Sequence, residues 1–403
     1  MVDFSSSALQ VFSSLLVFVF GYWLAVIIRR HFSLTIKRVS ALYLWHAVFS
    51  FVYLFYVLNW GGDAIGYYRM SFSPDLEFGL GTLGVRLLTS FFTQGLGFSF
   101  AGTFLVFQMF GFIGLVAFDA SLREVTYDKS RNIKLLATLI VFLPSVSFWS
   151  SSIGKDALSF MAMGLALWAA LNLKRRILLM VFAILVMLFV RPHIAGMMVI
   201  GLSGSFVLQR KVSFGQRLFF GIAAFVAAAV LVPLGLNYAG ISDGASGADV
   251  MEYIEGRQGQ NLSGGSSLDI SGMSPPMQLF TYLFRPLPFE AHSLFALAAS
   301  VDNIILLSLF IMGGRAILTK RLPSHLSTHN RMFLWIYSLL AWAILAMTTA
   351  NLGIAMRQKW MFTPMLIFLL ISVIGKPRRV TASGTSHPVA CSAPVKHGRV
   401  TKI

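Results

Sequence analysis

The chain has 403 residues, 57% of them apolar and 12% charged, with a mean hydropathy of +0.76. Soluble domains hold about 45–50% apolar and roughly 25% charged residues, so a soluble globular protein is excluded and a polytopic, all-α membrane protein is expected. The net charge of +17 would point to nucleic acid in a soluble chain, but cations gathered in cytoplasmic loops account for it here, and no nucleic-acid partner is expected.

Apolar runs long enough to cross most of a ~30 Å hydrocarbon layer predict helices near 8–28, 41–58, 97–118, 135–150, 157–173, 177–190, 194–209, 218–238, 293–312, 332–350 and 360–374, about eleven in all. No basic segment precedes the first run and no convincing cleavage site follows it, so it is expected to be a retained helix. The stretch 81–95, with Arg86 amid Leu87, Leu88, Phe91 and Phe92, is too short and polar to span and is expected to lie in the interface or re-enter. Cationic clusters at 29–38, 123–134, 174–176, 210–217, 315–331 and from 376 onward hold 24 of the 32 Lys and Arg, and alternate sidedness puts all six on one side. The N-terminus is then outside and the C-terminus inside, with Asp119, Glu124 and Asp128 the only acids assigned to the cytoplasmic side. The expected organisation is a transmembrane domain over 1–375, a large outer loop at about 239–292 before the last three helices, and a disordered cytoplasmic tail over 376–403. No internal repeat is evident.

Eight cations fall outside those clusters, namely Arg69, Arg86, Lys155, Arg191, Arg257, Arg285, Arg357 and Lys359. The 14 residues between Arg176 and Arg191 cover about 21 Å of a ~30 Å core, so Arg191 is expected below the outer surface, in an Arg191-Pro192-His193 turn that proline shapes. The same arithmetic recesses Arg357 and Lys359. Cations at membrane depth usually face a hydrated cavity and mark a substrate path, the blander alternative being snorkelling to lipid headgroups.

Three further stretches stand out. Trp149-Ser150-Ser151-Ser152-Ile153-Gly154-Lys155-Asp156 reads either as an anion nest before a helix N-terminus or as a plain cap in which Lys155 neutralises Asp156. Trp60-Gly61-Gly62-Asp63, followed by Tyr67, combines an acid able to act as a general base with aromatics suited to a sugar, or is simply a turn with interfacial anchors. In the outer loop, Arg285 and Glu290 frame Pro286 and Pro288, and the two charges could pair with each other. Asn261-Leu262-Ser263 matches a glycosylation acceptor by a pattern frequent by chance. The lone cysteine, Cys391, allows neither a disulfide framework nor a cysteine metal site, and no nucleotide loop, zinc motif or nucleophile elbow occurs. Asp302, with Asn303, is the only clear acid inside a span.

An outward cavity lined by Lys155, Arg191, Arg357 and Arg285 suits a substrate with a diphosphate head and a lipid tail. The Trp-Ser-Ser-Ser-Ile-Gly-Lys-Asp turn, the Arg-Pro-His turn and the Arg357-Gln358-Lys359-Trp360 segment resemble bacterial oligosaccharide repeat-unit polymerases, the Wzy-like membrane enzymes, and the Gly-Gly-Asp-x-x-x-Tyr stretch is similar to the early acidic loop of their EpsG-like branch. The resemblance implies inverting transfer without metal or cofactor of a polyprenyl-diphosphate-linked glycan in the bacterial cytoplasmic membrane, with a flippase and a chain-length regulator as pathway partners. It further implies that Lys155, Arg191, Arg357, Arg285 and Lys359 hold the diphosphate. Asp63, His193 or Glu290 would serve as base, and Trp60, Tyr67 and Asp156 would meet the acceptor sugar. Two other readings fit the same composition: a C-type single-sugar transferase using a polyprenyl-phosphate donor, and a lipid-linked glycan flippase or exporter.

Overall fold

The computed structural model describes residues 7–208, parts of 213–229, residues 268–319 apart from 269, 271 and 292, and residues 330–375. The expected helix at 218–238 lies largely outside these residues. So do the first half of the outer loop with Arg257 and Asn261, and the tail 376–403 with Cys391. The fold is all-helical, and among the described residues no strand forms. Helices α1 (Ala8–Ile28) and α2 (Ile36–Trp60) precede two short ones, α3 (Asp63–Met70) and α4 (Thr82–Ser90), the latter continued by a π turn, Phe91–Gly95. Then follow α5 (Phe100–Val125), α6 (Arg131–Val141), α7 (Pro144–Trp149), α8 (Lys155–Leu171), α9 (Leu173–Val190) and α10 (Pro192–Leu208). The C-terminal part contains α11 (Pro275–Phe284), a 3-10 turn Pro288–Glu290, α12 (Leu294–Leu318), α13 (Arg331–Thr348), α14 (Leu352–Gln358), a 3-10 turn Lys359–Met361 and α15 (Thr363–Val373).

Six segments are long and apolar enough to cross a membrane: α1, α2, α5, the run Arg131–Trp149 that joins α6 to α7, α12 and α13. The pair α14 and α15, bent by 62°, makes a seventh if counted as one span. Against about eleven expected, the difference among the described residues is physical. Helices α8 and α10 have 17 residues each, about 25 Å and short of a ~30 Å layer, while α9 carries Lys174, Arg175 and Arg176 in its first turn. The stretch 81–95 forms α4 and its π turn, as its length requires, and the Gly81 N–H donates to the Phe189 carbonyl at 2.7 Å. In the second half of the expected outer loop Pro275 and Pro276 open α11; proline suits the first helical turn because its missing N–H has no partner there.

Burial grades the helices by place. The apolar window of α1 is 17% buried and presents Leu9, Phe12, Leu15, Val19 and Trp23 outward, whereas that of α5 is 83% buried. A face so apolar is stable against lipid and costly against water. Helix α5 is therefore the central post, and α8, buried from Ala157 to Leu171, runs against it. Their close approach rests on glycine: a Cβ on Gly114 would lie 2.6 Å from the Phe160 carbonyl oxygen, and one on Gly164 would lie 2.4 Å from that of Gly114. Small residues let backbones meet where no hydrophobic drive exists between lipid-embedded helices. Gly111 does the same for the turn before α8, since a Cβ there would overlap the Ser150 carbonyl oxygen at 1.8 Å.

At the opposite end several cations bind carbonyls or acids inside the protein. Arg38 pairs with buried Asp119 at 2.5 Å, Lys129 donates to the Ser372 carbonyl at 3.2 Å, and Arg176 donates to the Trp168 carbonyl at 2.7 Å. Lys129 and Arg176 thus meet carbonyls near the C-terminal ends of α15 and α8, where cations also complement the helix dipole.

The glycine crossing is testable by substitution. Gly164→Val is expected to lower stability in detergent by an overpacking cost of ~1–3 kcal/mol, or to prevent folding. Gly314→Ala, whose added Cβ meets nothing within 4 Å, should leave the melting temperature unchanged or slightly higher; equal effects of the two would refute the crossing.

Candidate functional site

Three breaks in helical structure build the site. Gly61 and Gly62, at φ of 80° and 154°, end α2 and start α3, so that Asp63 becomes the first residue of α3. Gly154, at φ of 150°, begins α8 with no side-chain cap, and places Asp156 in the first turn, where a carboxylate complements the positive end of the helix dipole. At Phe362, followed by Pro364, the chain bends between α14 and α15, turning the segment that carries Arg357 and Lys359 inward. Broken backbone of this kind is tolerated at membrane depth where it lines a protein interior or cavity.

Asp156 is the meeting point. Arg191 Nη2 donates to its Oδ1 at 2.5 Å, Arg191 Nε donates to Ser159 Oγ at 3.3 Å, and Arg357 Nε stands 4.0 Å from its Oδ2. Arg357 Nη1 in turn reaches Asp63 Oδ2 at 2.5 Å. The result is a chain of alternating charge, Asp63, Arg357, Asp156, Arg191, drawn from four separate stretches of sequence, with Lys155 beside it on the first turn of α8. Arg191 is 8% exposed, in line with the short run from Arg176, and Asp63 is the open end, its side chain 63% exposed. A water-sized cavity of about 10 Å³ lies between Asp156 and Arg357, bounded by Trp149, Ser150 and Trp360. Its walls include two buried donors without hydrogen-bond partners among the described residues, Arg357 Nε and Trp360 Nε1.

Other expected site residues occupy other places. Lys359 is buried and donates to Asn303 Oδ1, and Asn303 Nδ2 donates to the Pro286 carbonyl at 3.0 Å. It therefore ties α12 and the Pro286 turn together instead of reaching a lipid headgroup. Arg285 pairs with Glu290 at 2.5 Å, and Glu290 also accepts the Leu287 N–H at 2.8 Å. Burial works against the Glu290 charge, but Arg285 and the Leu287 N–H outweigh it and hold the carboxyl below the usual glutamate range. His193 lies in the first turn of α10, half-buried. Trp60 is 62% exposed and stacks on Tyr56 at 5.4 Å. Tyr67 faces Gly154, and burial pushes its phenol up to about 12. The Ser150–Ser152 turn is anchored by α2, where His46 Nε2 meets Ser150 Oγ at 3.0 Å and Ser50 donates to the Ser151 carbonyl at 3.3 Å.

Several participants escape sequence reading. Ser159, three residues beyond Asp156, shares its helix face and could have been found by spacing alone. Tyr282 could not. It arrives on α11, its buried hydroxyl has no hydrogen-bond partner among the described residues, and it lies within electrostatic reach of Arg191 and Asp156; burial holds its phenol well above the ordinary value. An aromatic wall flanks the charges: Tyr53 packs edge-on to Phe148 at 4.6 Å, and Phe295 meets Tyr56 at 4.9 Å and Trp60 at 5.8 Å. Tyr53 itself is within electrostatic reach of Arg357, Asp156 and Asp63.

No family model, curated protein or solved structure matches the chain.

Two measurements test the architecture. Asp156→Asn should destabilise the protein by ~2–4 kcal/mol, because it leaves Arg191 without its anion and Arg357 with Asp63 alone. Arg191→Met added to it should cost much less than Arg191→Met alone, a coupling of ~0.5–3 kcal/mol in a double-mutant cycle; additivity would contradict the pairing. For Glu290, a lowered folded value means that its contribution is fully present above the ordinary value of 4.5 and is lost as pH falls through the lowered one. The melting-temperature gap between wild type and Glu290→Gln should therefore hold down to about pH 5 and close below it.

Proposed function

We propose that the protein polymerises polyprenyl-diphosphate-linked oligosaccharide repeat units at the outer face of the bacterial cytoplasmic membrane, in surface or exopolysaccharide synthesis. The observation that carries the reading is the convergence of Arg191 and Arg357 on Asp156, with Asp63 bound to the far side of Arg357. Two guanidiniums whose planar forks suit phosphate oxygens, held in place by carboxylates that a stronger anion can displace, form a receptor for a diphosphate. Asp63, Trp60 and the aromatic wall stand at its mouth, where a sugar can stack. The sidedness follows from the cationic loops at the other end of the bundle, and the eleven-span topology belongs to this same reading.

In the reaction, the donor diphosphate competes for Arg357 and releases Asp63 from its ion pair. A hydroxyl of the acceptor sugar gives its proton to Asp63 while its oxygen attacks the anomeric carbon of the donor glycan from the face opposite the diphosphate. The new C–O bond forms as the bond to the diphosphate oxygen breaks, and the electron pair leaves with polyprenyl diphosphate. Arg191, Arg357 and Lys155 stabilise the charge that collects there. Tyr282, within electrostatic reach of the same charges, adds a hydrogen-bond donor. The products are a lengthened lipid-linked glycan and a free polyprenyl diphosphate. Because the cavity between Asp156 and Arg357 holds about one water, the diphosphate enters only when the Asp63–Arg357 pair opens.

The test is the length distribution of surface polysaccharide in cells lacking the protein and complemented with variants. Wild type should restore long chains. Arg191→Ala and Arg357→Ala should leave single lipid-linked repeats accumulating, and Asp63→Asn should slow polymerisation by roughly 10²–10⁴, the range of a general base. Normal chains in the deletion strain, or loss of a side sugar alone, would sink the reading and favour a single-sugar transferase or a transport role.

A further inference from the structure

A second charged site lies at the other end of the bundle. Helix α2 runs from Ile36 to Trp60, so Arg38 and Asp63 are separated by nearly its full length, roughly 35 Å. There a pocket of about 450 Å³ opens between α2, the end of α5 and α6, lined by Arg38, Asp119, Arg123, Tyr127, Lys134 and Thr138 among others. That volume falls in the range of small-molecule sites and far exceeds the cavity beside Asp156.

The charge in this pocket is not balanced. Asp119 is 1% exposed and is consumed by Arg38, which donates to its two oxygens at 2.5 and 3.3 Å. Arg123 and Lys134 face the opening with no ion pair among the described residues: Arg123 gives a long hydrogen bond of 3.4 Å to the Ser33 carbonyl, and Lys134 stands 5.9 Å over the Tyr127 ring. Glu124, the neighbour of Arg123, acts electrostatically on Arg176. Two cations at the rim, a third in the wall and the Thr138 hydroxyl make a receptor for an anion. Its surroundings say which kind. Beside Lys134 on α6, Leu135 and Leu139 turn about half of their surface outward, and Tyr127 is 83% exposed. An apolar stripe that begins where the cations end, with an aromatic at the junction, is the geometry of a headgroup site at a membrane interface.

We propose that this pocket holds the phosphate headgroup of an anionic lipid, with Arg123 and Lys134 on the phosphate and the acyl chains along Leu135 and Leu139. Arg38 and Asp119 form its floor, and the assignment stands apart from any reading of the Asp156 site. The attraction is largely ionic and weakens as salt rises, since the rim is exposed.

The experiment uses the full chain in detergent, mixed with equal amounts of phosphatidylglycerol and phosphatidylcholine, with bound lipid counted by native mass spectrometry. Wild type should retain phosphatidylglycerol preferentially. Arg123→Ala combined with Lys134→Ala should reduce that preference by about 30-fold, the effect of two interfacial cations, with an unchanged melting temperature in phosphatidylcholine alone. The pair Lys174→Ala and Arg175→Ala, exposed on α9 and outside the pocket, should leave it nearly intact. Equal retention of the two lipids, or equal losses from the two pairs, would overturn the site. Displacement of phosphatidylglycerol by millimolar inorganic phosphate would overturn the lipid assignment in favour of a soluble phosphate compound.

Discussion

A charge inside a lipid-embedded bundle must be answered by another charge or by hydrogen-bonding groups of the protein, because the medium around it answers poorly. Asp156 meets that requirement for two arginines at once, and much of the local architecture serves to bring it there. Gly154 frees the backbone to start α8 one residue before it, Gly111 lets the preceding serine turn lie flat on α5, and His46 and Ser50 hold that turn from α2. The bend at Phe362 then brings Arg357 down on one side while the shortness of α9 brings Arg191 in on the other. Remove the carboxylate and the inward turn of Arg191 loses its electrostatic reason, while Arg357 keeps Asp63 alone.

How far this could be read in advance depended on whether the cause was local. Span length, charge sidedness and the recess of Arg191 are expectations from counting residues against a hydrocarbon thickness, and what the fold shows of Arg191 is that it is buried among its neighbours. Helix starts also have local causes, since Ser99, Ser293 and Asn351 each cap the helix that follows through their own side chains, although the helix after Asn351 falls between the expected spans 332–350 and 360–374. The partners of the recessed charges were not legible. Nothing near Lys359 in sequence announces Asn303, and the two distant arginines that meet at Asp156 are brought there by packing. Tyr282 is the extreme case, a residue in a proline-led segment that folds as α11 and comes within electrostatic reach of Arg191 and Asp156.

The number of spans was less legible for a related reason: about eleven were expected, and among the described residues six or seven helices are long and apolar enough to cross. Hydropathy marks apolar stretches but does not distinguish a helix facing lipid from one enclosed by its neighbours. Helices α8 and α15 are buried along nearly all their length and need not match the bilayer. Being short, α8 ends inside the protein, and its N-terminus with Asp156 becomes part of a polar interior. The same enclosure that makes these helices poor membrane spans makes them good walls.

The two ends of the bundle use cations in opposite ways. At the end the sequence assigns to the cytoplasm, Lys129, Arg176 and Arg331 are spent on carbonyls and hydroxyls of neighbouring helices, so these cations close helix ends. At the other end each arginine of the site faces a carboxylate that is itself within reach of solvent, Asp63 most of all. An ion pair with one exposed partner is weak by itself and exchangeable. A cation held by a buried carbonyl is neither, because removing its partner would leave a desolvated charge with nothing to replace it. The difference separates charges that hold the fold from charges that can be offered to a ligand, and by that criterion Arg357, between exposed Asp63 and half-buried Asp156, is the residue best placed to change partners.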